Sequence, residues 1–477
     1  MSEKELEVQR HGMMNLASST SITLIGFLAT IFYAHWVGAG VLGTYFVFLS
    51  LYSILCFATD LGIAYAVTQR ISEGKDQDRY YSAGFAIRVG AFIILALGLI
   101  LFRERFVDLN QAGLFWVLLA VLGLGTIQSC VNIAIGASNR LGLAATTTLI
   151  NNIARILIQV VTVFLGYQIS GLVGGLAAGI LIQLLIEVRF VDYHLKKFQW
   201  AHVKSLFSFS GWAVLISAGN ILFDNISLII IAYFLPVADV GIYGVCWTFS
   251  FFALFVSTAL VNTLYVKVSR WNAQEDRSAI TIALSRATTY SLIFALPILI
   301  GGILLGYNLL FFLYGASFSA GANALIIIIA MRVLQSIANL YTNFLLATDQ
   351  ARQAVVGITA GIGINCLLCI LLVPMIGISG AAIAAFVNVC ITFFIARSYL
   401  SSIIPLEIER PVIRDIILAT ALMTGYLIMI MHLLADQSAV STILMVLSGA
   451  GVYFLALLIL NLQIREDAFR ILKIKWI

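Results

Sequence analysis

Charge is what this 477-residue chain has least of. Asp, Glu, Lys and Arg make up 10% of it, where a soluble domain carries about a quarter. A solvated globule is thereby excluded, and the 61% of hydrophobic residues have to face something other than water. Proline is equally scarce, at five residues, so long helices can run with few interruptions. The six cysteines (Cys56, Cys130, Cys246, Cys366, Cys369 and Cys390) all fall inside apolar stretches, which predicts no disulfide framework. Cys366 and Cys369 spell C-x-x-C, but no second pair accompanies them, and they read as small buried helix residues. There is no Walker loop, no H-E-x-x-H and no G-x-S-x-G, and the five histidines are scattered. No enzyme, cofactor or metal centre is expected. The net charge of +5 signals no nucleic acid, because the basic residues hug the ends of the apolar stretches.

What is present is hydrophobic length. Fourteen apolar runs cover 15–36, 42–67, 83–102, 114–135, 145–166, 170–190, 209–234, 237–264, 282–305, 322–346, 355–374, 378–395, 412–434 and 440–461. A run of about 20 residues spans a hydrocarbon core of roughly 30 Å. The expected fold is an all-α integral membrane protein of 14 transmembrane helices, with no room for a soluble catalytic domain. The polar first twelve residues and the length of the first run argue against a cleavable signal peptide. Orientation follows from the loops. Of 27 Lys and Arg, 22 fall on one set of alternate loops and the termini, three lie within spans, and Arg103 and Arg105 alone occupy the other set. The rich side is cytoplasmic by the positive-inside rule. A multi-pass protein of the cell membrane with both termini cytoplasmic is expected.

The chain divides into an N-terminal six-helix lobe (1–192), an amphipathic cytoplasmic linker (193–208), a C-terminal six-helix lobe (209–400) and a remainder of two helices and a basic tail (401–477). The linker interleaves Leu195, Phe198, Trp200 and Val203 with Lys196, Lys197 and Lys204. The tail from Arg465 does the same with Phe469, Leu472 and Trp476. Both predict helices lying among membrane lipid headgroups. The lobes echo one another. Gly43-Thr44-Tyr45 opens span two and Gly241-Ile242-Tyr243 span eight; Ile169-Ser170-Gly171 enters span six and Ile378-Ser379-Gly380 span twelve. Ala137-Ser138-Asn139 follows span four and Ala347-Thr348-Asp349 span ten. A six-span repeat keeps its orientation, so the lobes are expected to relate by a two-fold axis along the membrane normal, with a substrate site between them. Gly171, Gly175 and Gly179, and Gly357 and Gly361, mark faces where helix backbones can approach. Pro297 interrupts span nine and frees a carbonyl there, as a hinge or as a static kink.

Ionisable groups at bilayer depth are site candidates by default. Arg155 and Arg332 lie about ten residues into spans five and ten, and Arg88 a turn or two into span three. Asp224 lies deep in span seven; Asp60, near the cytoplasmic end of span two, fits a cap as well as a site. Three arginines against one deep carboxylate make a cationic interior, suited to a phosphate or pyrophosphate held by arginine's planar fork. Pairing of arginine with aspartate between helices is the other reading. Asn152 and Asn339, with Asn151, Gln159, Gln183, Asn220, Gln335 and Asn343, add groups that suit sugar hydroxyls or serve as interhelical glue.

With the spans placed, the chain resembles the polysaccharide (O-antigen-type) flippases of the multidrug/oligosaccharidyl-lipid/polysaccharide exporter superfamily. The resemblance rests on Trp36-Val37-Gly38 through Gly43-Thr44-Tyr45, and on Asp60-Leu61-Gly62-Ile63 leading to Arg70. It continues with Asp224 before Gly241-Ile242-Tyr243, and Asn365 before Pro374, Gly377 and Gly380-Ala381-Ala382. It implies movement of polyprenyl-(pyro)phosphate-linked oligosaccharide from the cytoplasmic to the outer leaflet by alternating access. Glycan polymerases or glycosyltransferases would be partners. Arg88, Arg155, Arg332, Asn152 and Asn339 are then the candidate substrate ligands. The superfamily's lipid-II flippases use a sodium site in spans seven and eleven, where Asp224 and Asn365 fall, but the second acidic ligand of span eleven is missing here. An ion-coupled exporter of small organic molecules is the rival transporter. A membrane polymerase or ligase is the rival enzyme, disfavoured by outer loops too short to hold an acceptor.

Overall fold

The structure is a computed structural model. It describes residues 3–105, 113–138, 140–209, 211–406, 409–433 and 438–466, with side chains from residue 24 onward except those of 105, 141, 209 and 211–213. Every regular element among these residues is helical. Without water in the bilayer, a spanning segment must satisfy its own backbone, and a helix does so within one segment.

The first unit, Met1–Tyr233, holds α1 (Glu3–Asp60), α2 (Ile63–Ser72), α3 (Gln77–Leu101), α4 (Phe115–Ala137), α5 (Leu141–Phe164), α6 (Gln168–Glu187), α7 (Trp200–Phe209) and nearly all of α8 (Gly211–Phe234). The second, Phe234–Ile477, holds α9 (Val237–Ser250), α10 (Phe255–Ala273), α11 (Arg277–Tyr314), α12 (Ala322–Ala347), α13 (Ala351–Ile376), α14 (Ile378–Ser401), α15 (Arg410–Leu433) and α16 (Ala439–Leu460). Thirteen helices among the described residues are long and apolar enough to cross a membrane. The first of these contains Gly38 at φ 72°, ψ 176°, a conformation open to glycine alone. Gly38 thus divides α1 into two arms, which is compatible with the fourteen spans read from the sequence. A second break follows at Leu61 (φ 44°) and Gly62 (φ 74°). There the Asp60 carboxylate accepts from the Gly62 and Ala64 backbone N–H groups at 3.2 and 3.1 Å, so Asp60 caps the start of α2.

The glycine stripes are contact faces, as their spacing predicts. A side chain at Gly175 would collide with Gln159, and one at Gly179 would fall 2.9 Å from the Arg155 Cβ and 2.5 Å from the Asn151 Oδ1. These glycines let α5 and α6 pack backbone to backbone. In the second unit Gly361 does the same against Asn388 and Thr392, joining α13 to α14.

The linker departs from expectation. Residues 191–199 are not helical, and only α7 is. Backbone N–H groups that would close helical turns instead bond the start of α3: His194 N–H donates to Asp78 Oδ1 at 3.1 Å and Lys196 N–H to Ser82 Oγ at 2.8 Å. The Lys196 Nζ also meets Asp78 at 2.6 Å. On α7, Val203 and Leu206 join a buried cluster with Ile63, Val67, Ile71 and Ala134, while Trp200 (77% exposed) and Phe207 face outward. The basic tail beyond residue 466 lies outside the described residues.

Candidate functional site

In the first unit the polar side chains of α5 stand in tiers along one side of the helix. Asn152, Arg155 and Gln159 recur at spacings of three and four, which places them together. Gln159 is buried and fully engaged. It accepts from the Tyr33 hydroxyl at 3.0 Å and donates to the Tyr45 hydroxyl at 2.7 Å and to the Leu172 carbonyl at 2.6 Å. Gln159 is therefore interhelical glue, tying both arms of α1 and α6 to α5.

One turn away, Arg155 is partly buried. Its Nη2 donates to Asn152 Oδ1 at 3.0 Å, and the Asn152 amide donates to the Thr148 carbonyl at 2.8 Å. The Arg155 Nε–H is buried with no hydrogen-bond acceptor among the described residues. A buried donor without an acceptor costs about 1–3 kcal/mol, and an anion with two oxygens in the guanidinium plane would meet it.

Arg88 is placed differently from expectation. It neither reaches the headgroups nor stands open as an entrance ligand. It is 3% exposed, its Nε lies 3.4 Å from Asp60 Oδ1, and its Nη2 donates to Ser129 Oγ at 2.8 Å. The break at Leu61 and Gly62 brings the Asp60 carboxylate inward. Asp60 serves there as helix cap and counter-ion at once, so the Arg88 charge is met inside the unit. Pairing of arginine with aspartate between helices does occur, through Arg88 and Asp60.

In the second unit Arg332 is 1% exposed. Its guanidinium carbon lies 4.1 Å from the Trp247 ring centroid and 4.3 Å from that of Phe251. Its Nε donates to Ser250 Oγ at 3.0 Å and its Nη1 to Gln335 Oε1 at 2.7 Å. The rings belong to the junction where α9 passes into the 3₁₀ turn Phe251–Leu254, and their spacing of four presents both to one guanidinium. Two aromatic faces stabilise a desolvated cation by cation–π attraction. Arg332 is thus engaged within its own unit. Asn339, two turns further along α12, is partly buried, and its backbone carbonyl accepts from Asn343.

The two ion-coupling candidates fall in different units. Asp224, on α8, is exposed. Asn365, on α13, is buried, with the Cys369 thiol 3.7 Å from its Oδ1. Among the described residues no three His, Cys, Asp or Glu side chains converge as a metal site.

Sequence reading missed Glu187, which is buried at the end of α6 and holds four hydrogen bonds. It falls inside the sixth apolar run, 170–190, and was passed over among the charges at bilayer depth. The available signal was three polar pairs at i, i+4 on successive spans: Gln128 and Asn132, Thr147 and Asn151, Gln183 and Glu187.

Two units of apolar helices with arginine and amide groups buried among them define a multi-pass α-helical membrane protein. The fold is similar to that of a solved "Lipid II flippase MurJ, inward closed conformation", at a TM-score of 0.76 and 16% identity, covering 96% of this chain and all (100%) of that one. It is also similar to a multidrug resistance MATE family transporter of the MOP superfamily in an inward-facing conformation. The TM-score there is 0.66 at 12% identity, over 82% of this chain and 98% of that one. The family described as "Polysaccharide biosynthesis protein" (Polysacc_synt_3) matches residues 38–323, and the chain belongs to it. Along 446 residues it is 26% identical to a Haloferax volcanii protein named "Probable low-salt glycan biosynthesis flippase Agl15", covering 93% of this chain and 94% of that protein.

Proposed function

We propose that this protein is a flippase that carries polyprenyl-(pyro)phosphate-linked oligosaccharide from the cytoplasmic to the outer leaflet of the cell membrane, in the assembly of a surface glycan. Membership of a polysaccharide biosynthesis family and the relative named as a glycan biosynthesis flippase support the substrate class. The observation that carries the mechanism is Arg155, a partly buried guanidinium that donates to Asn152 and whose Nε–H lacks an acceptor among the described residues. The headgroup phosphate docks there, and two N–H groups of the fork meet two phosphate oxygens. Arg332 and Asn339, in the second unit, are candidate headgroup ligands in their own right, Arg332 by exchanging Ser250 and Gln335 for phosphate. Arg88, already neutralised by Asp60, holds the cytoplasmic ends of α1 and α3 rather than the substrate.

The transport cycle is alternating access between two six-helix lobes, with both termini cytoplasmic and the lipid tail left in the bilayer. The protein transfers no group and makes no bond; its glycan-handling partners would be glycosyltransferases and a polymerase. The eleventh apolar run, 355–374, holds Asn365 and no carboxylate, so coupling to sodium is not part of the proposal.

A second reading, export of small organic molecules, is favoured by the likeness in fold to a multidrug transporter. Reconstitution separates the readings: proteoliposomes should move a fluorescent polyprenyl-pyrophosphate disaccharide between leaflets and leave cationic dyes unmoved. Dye transport without lipid movement would reject the flippase.

A further inference from the structure

Glu187 closes α6 and is fully buried. Its carboxylate accepts from three helices. Oε1 takes Asn132 Nδ2 at 2.7 Å, Thr147 Oγ1 at 2.7 Å and Gln183 Nε2 at 2.8 Å; Oε2 takes Gln128 Nε2 at 3.0 Å. All four donors are neutral, and among the described residues no ion pair reaches Glu187. A buried carboxylate is tolerated when its lone pairs are met, and here they are.

The cage also sets a direction. Gln183 donates its Nε2 to Glu187, which leaves its Oε1 to accept from Asn151 Nδ2 at 2.6 Å. The hydrogen bonds therefore run one way, from Asn151 through Gln183 to Glu187. Asn151 precedes Asn152 in α5, and its Oδ1 and the Arg155 Cβ both lie against the bare backbone of Gly179. The chain of amides thus grips α5 on α6 at the level of the guanidinium. Which amide atom is oxygen and which nitrogen follows from this network, so removing its terminal acceptor lets Gln183 turn and leaves Asn151 facing a donor.

We propose that Glu187 is the positioning residue for the Asn152–Arg155 pair. It acts through Gln183 and Asn151, and rests on the reading of that pair as the phosphate dock. What it contributes is an acceptor oxygen at Oε1. A glutamine at 187 keeps that oxygen, and its new amide faces Gln128, which can turn to accept.

The experiment is leaflet movement of a fluorescent polyprenyl-pyrophosphate disaccharide in proteoliposomes of the full chain, measured against probe density. Glu187→Leu raises the half-saturating density about tenfold, and Asn151→Leu raises it equally. The double variant is no worse than either, because both cut one chain. Glu187→Gln stays within about twofold of wild type. A merely structural loss lowers the maximal rate through the folded fraction and leaves half-saturation unchanged; that outcome overturns the proposal. Glu187→Gln as impaired as Glu187→Leu also overturns it, because the charge would then be what matters. Should Glu187→Leu not accumulate in the membrane, Gln183→Met breaks the same chain one link further on. It must raise half-saturation likewise, and an unchanged value rejects the idea. A wild-type protein that leaves the probe in its leaflet sinks the flippase reading itself, and this inference falls with it.

Discussion

The Tyr453 hydroxyl donates to the Ile293 carbonyl at 2.7 Å, and Ile293 stands four residues before Pro297. That carbonyl is the one deprived of its helical partner, because proline has no N–H. Tyr453, fully buried in α16, replaces the missing bond within a cluster joining Ile293, Leu305 and Leu309 of α11 to Ile416, Met423 and Met445. The carbonyl freed by Pro297 in span nine is therefore met, and by a residue of the last helix. Tyr453→Phe should destabilise the protein by about 1–3 kcal/mol, since it leaves a buried carbonyl unmet. Pro297→Ala restores the N–H at position 297, so in that background Tyr453→Phe should cost much less. Thermal unfolding in detergent of the four proteins reads the coupling, and equal losses in both backgrounds would disprove it.

Arg155→Ala should lower surface-glycan export or probe flipping at least about tenfold, with near-normal protein in the membrane. Lysine should recover only part of the activity, because it keeps the charge and loses the fork. Full activity with lysine would show that a point charge suffices.

For Arg88 the expected defect is stability. Arg88→Met strands the Asp60 carboxylate, and because Asp60 is partly exposed the loss should fall below the roughly 3–5 kcal/mol of a fully buried pair. Adding Asp60→Asn should recover much of it, since asparagine can still cap α2. If Arg88→Met abolishes flipping in a fully stable protein, Arg88 belongs with the substrate ligands after all.

Topology can be read by labelling single cysteines in a cysteine-free background. Ala201 and Ser317 are both exposed. Ala201 should react only from the cytoplasm and Ser317 only from outside, as the 22-to-2 division of loop Lys and Arg requires. External labelling of Ala201 would reverse the model of the membrane crossing.

How much was legible in advance differs from residue to residue. Apolar run length and the side taken by Lys and Arg are properties of consecutive residues, so helix class and expected orientation followed from the sequence alone. So did the faces of Gly171, Gly175 and Gly179, because a spacing of four places them on one side of any helix. The partners of the buried charges were not legible in this way. Arg88 meets Asp60 where the chain breaks at Leu61 and Gly62, and Arg332 of α12 meets Trp247 and Phe251 only through the packing of α12 against the end of α9. Glu187 drew no notice inside the sixth apolar run, and only the closure of α4, α5 and α6 around it shows its role. Sequence determined which segments are helices in a membrane and which faces of them are small or polar. Tertiary packing decided which charge meets which partner, because a hydrogen bond or ion pair between helices depends on rotation and depth to within about an ångström, and no local pattern of residues encodes that.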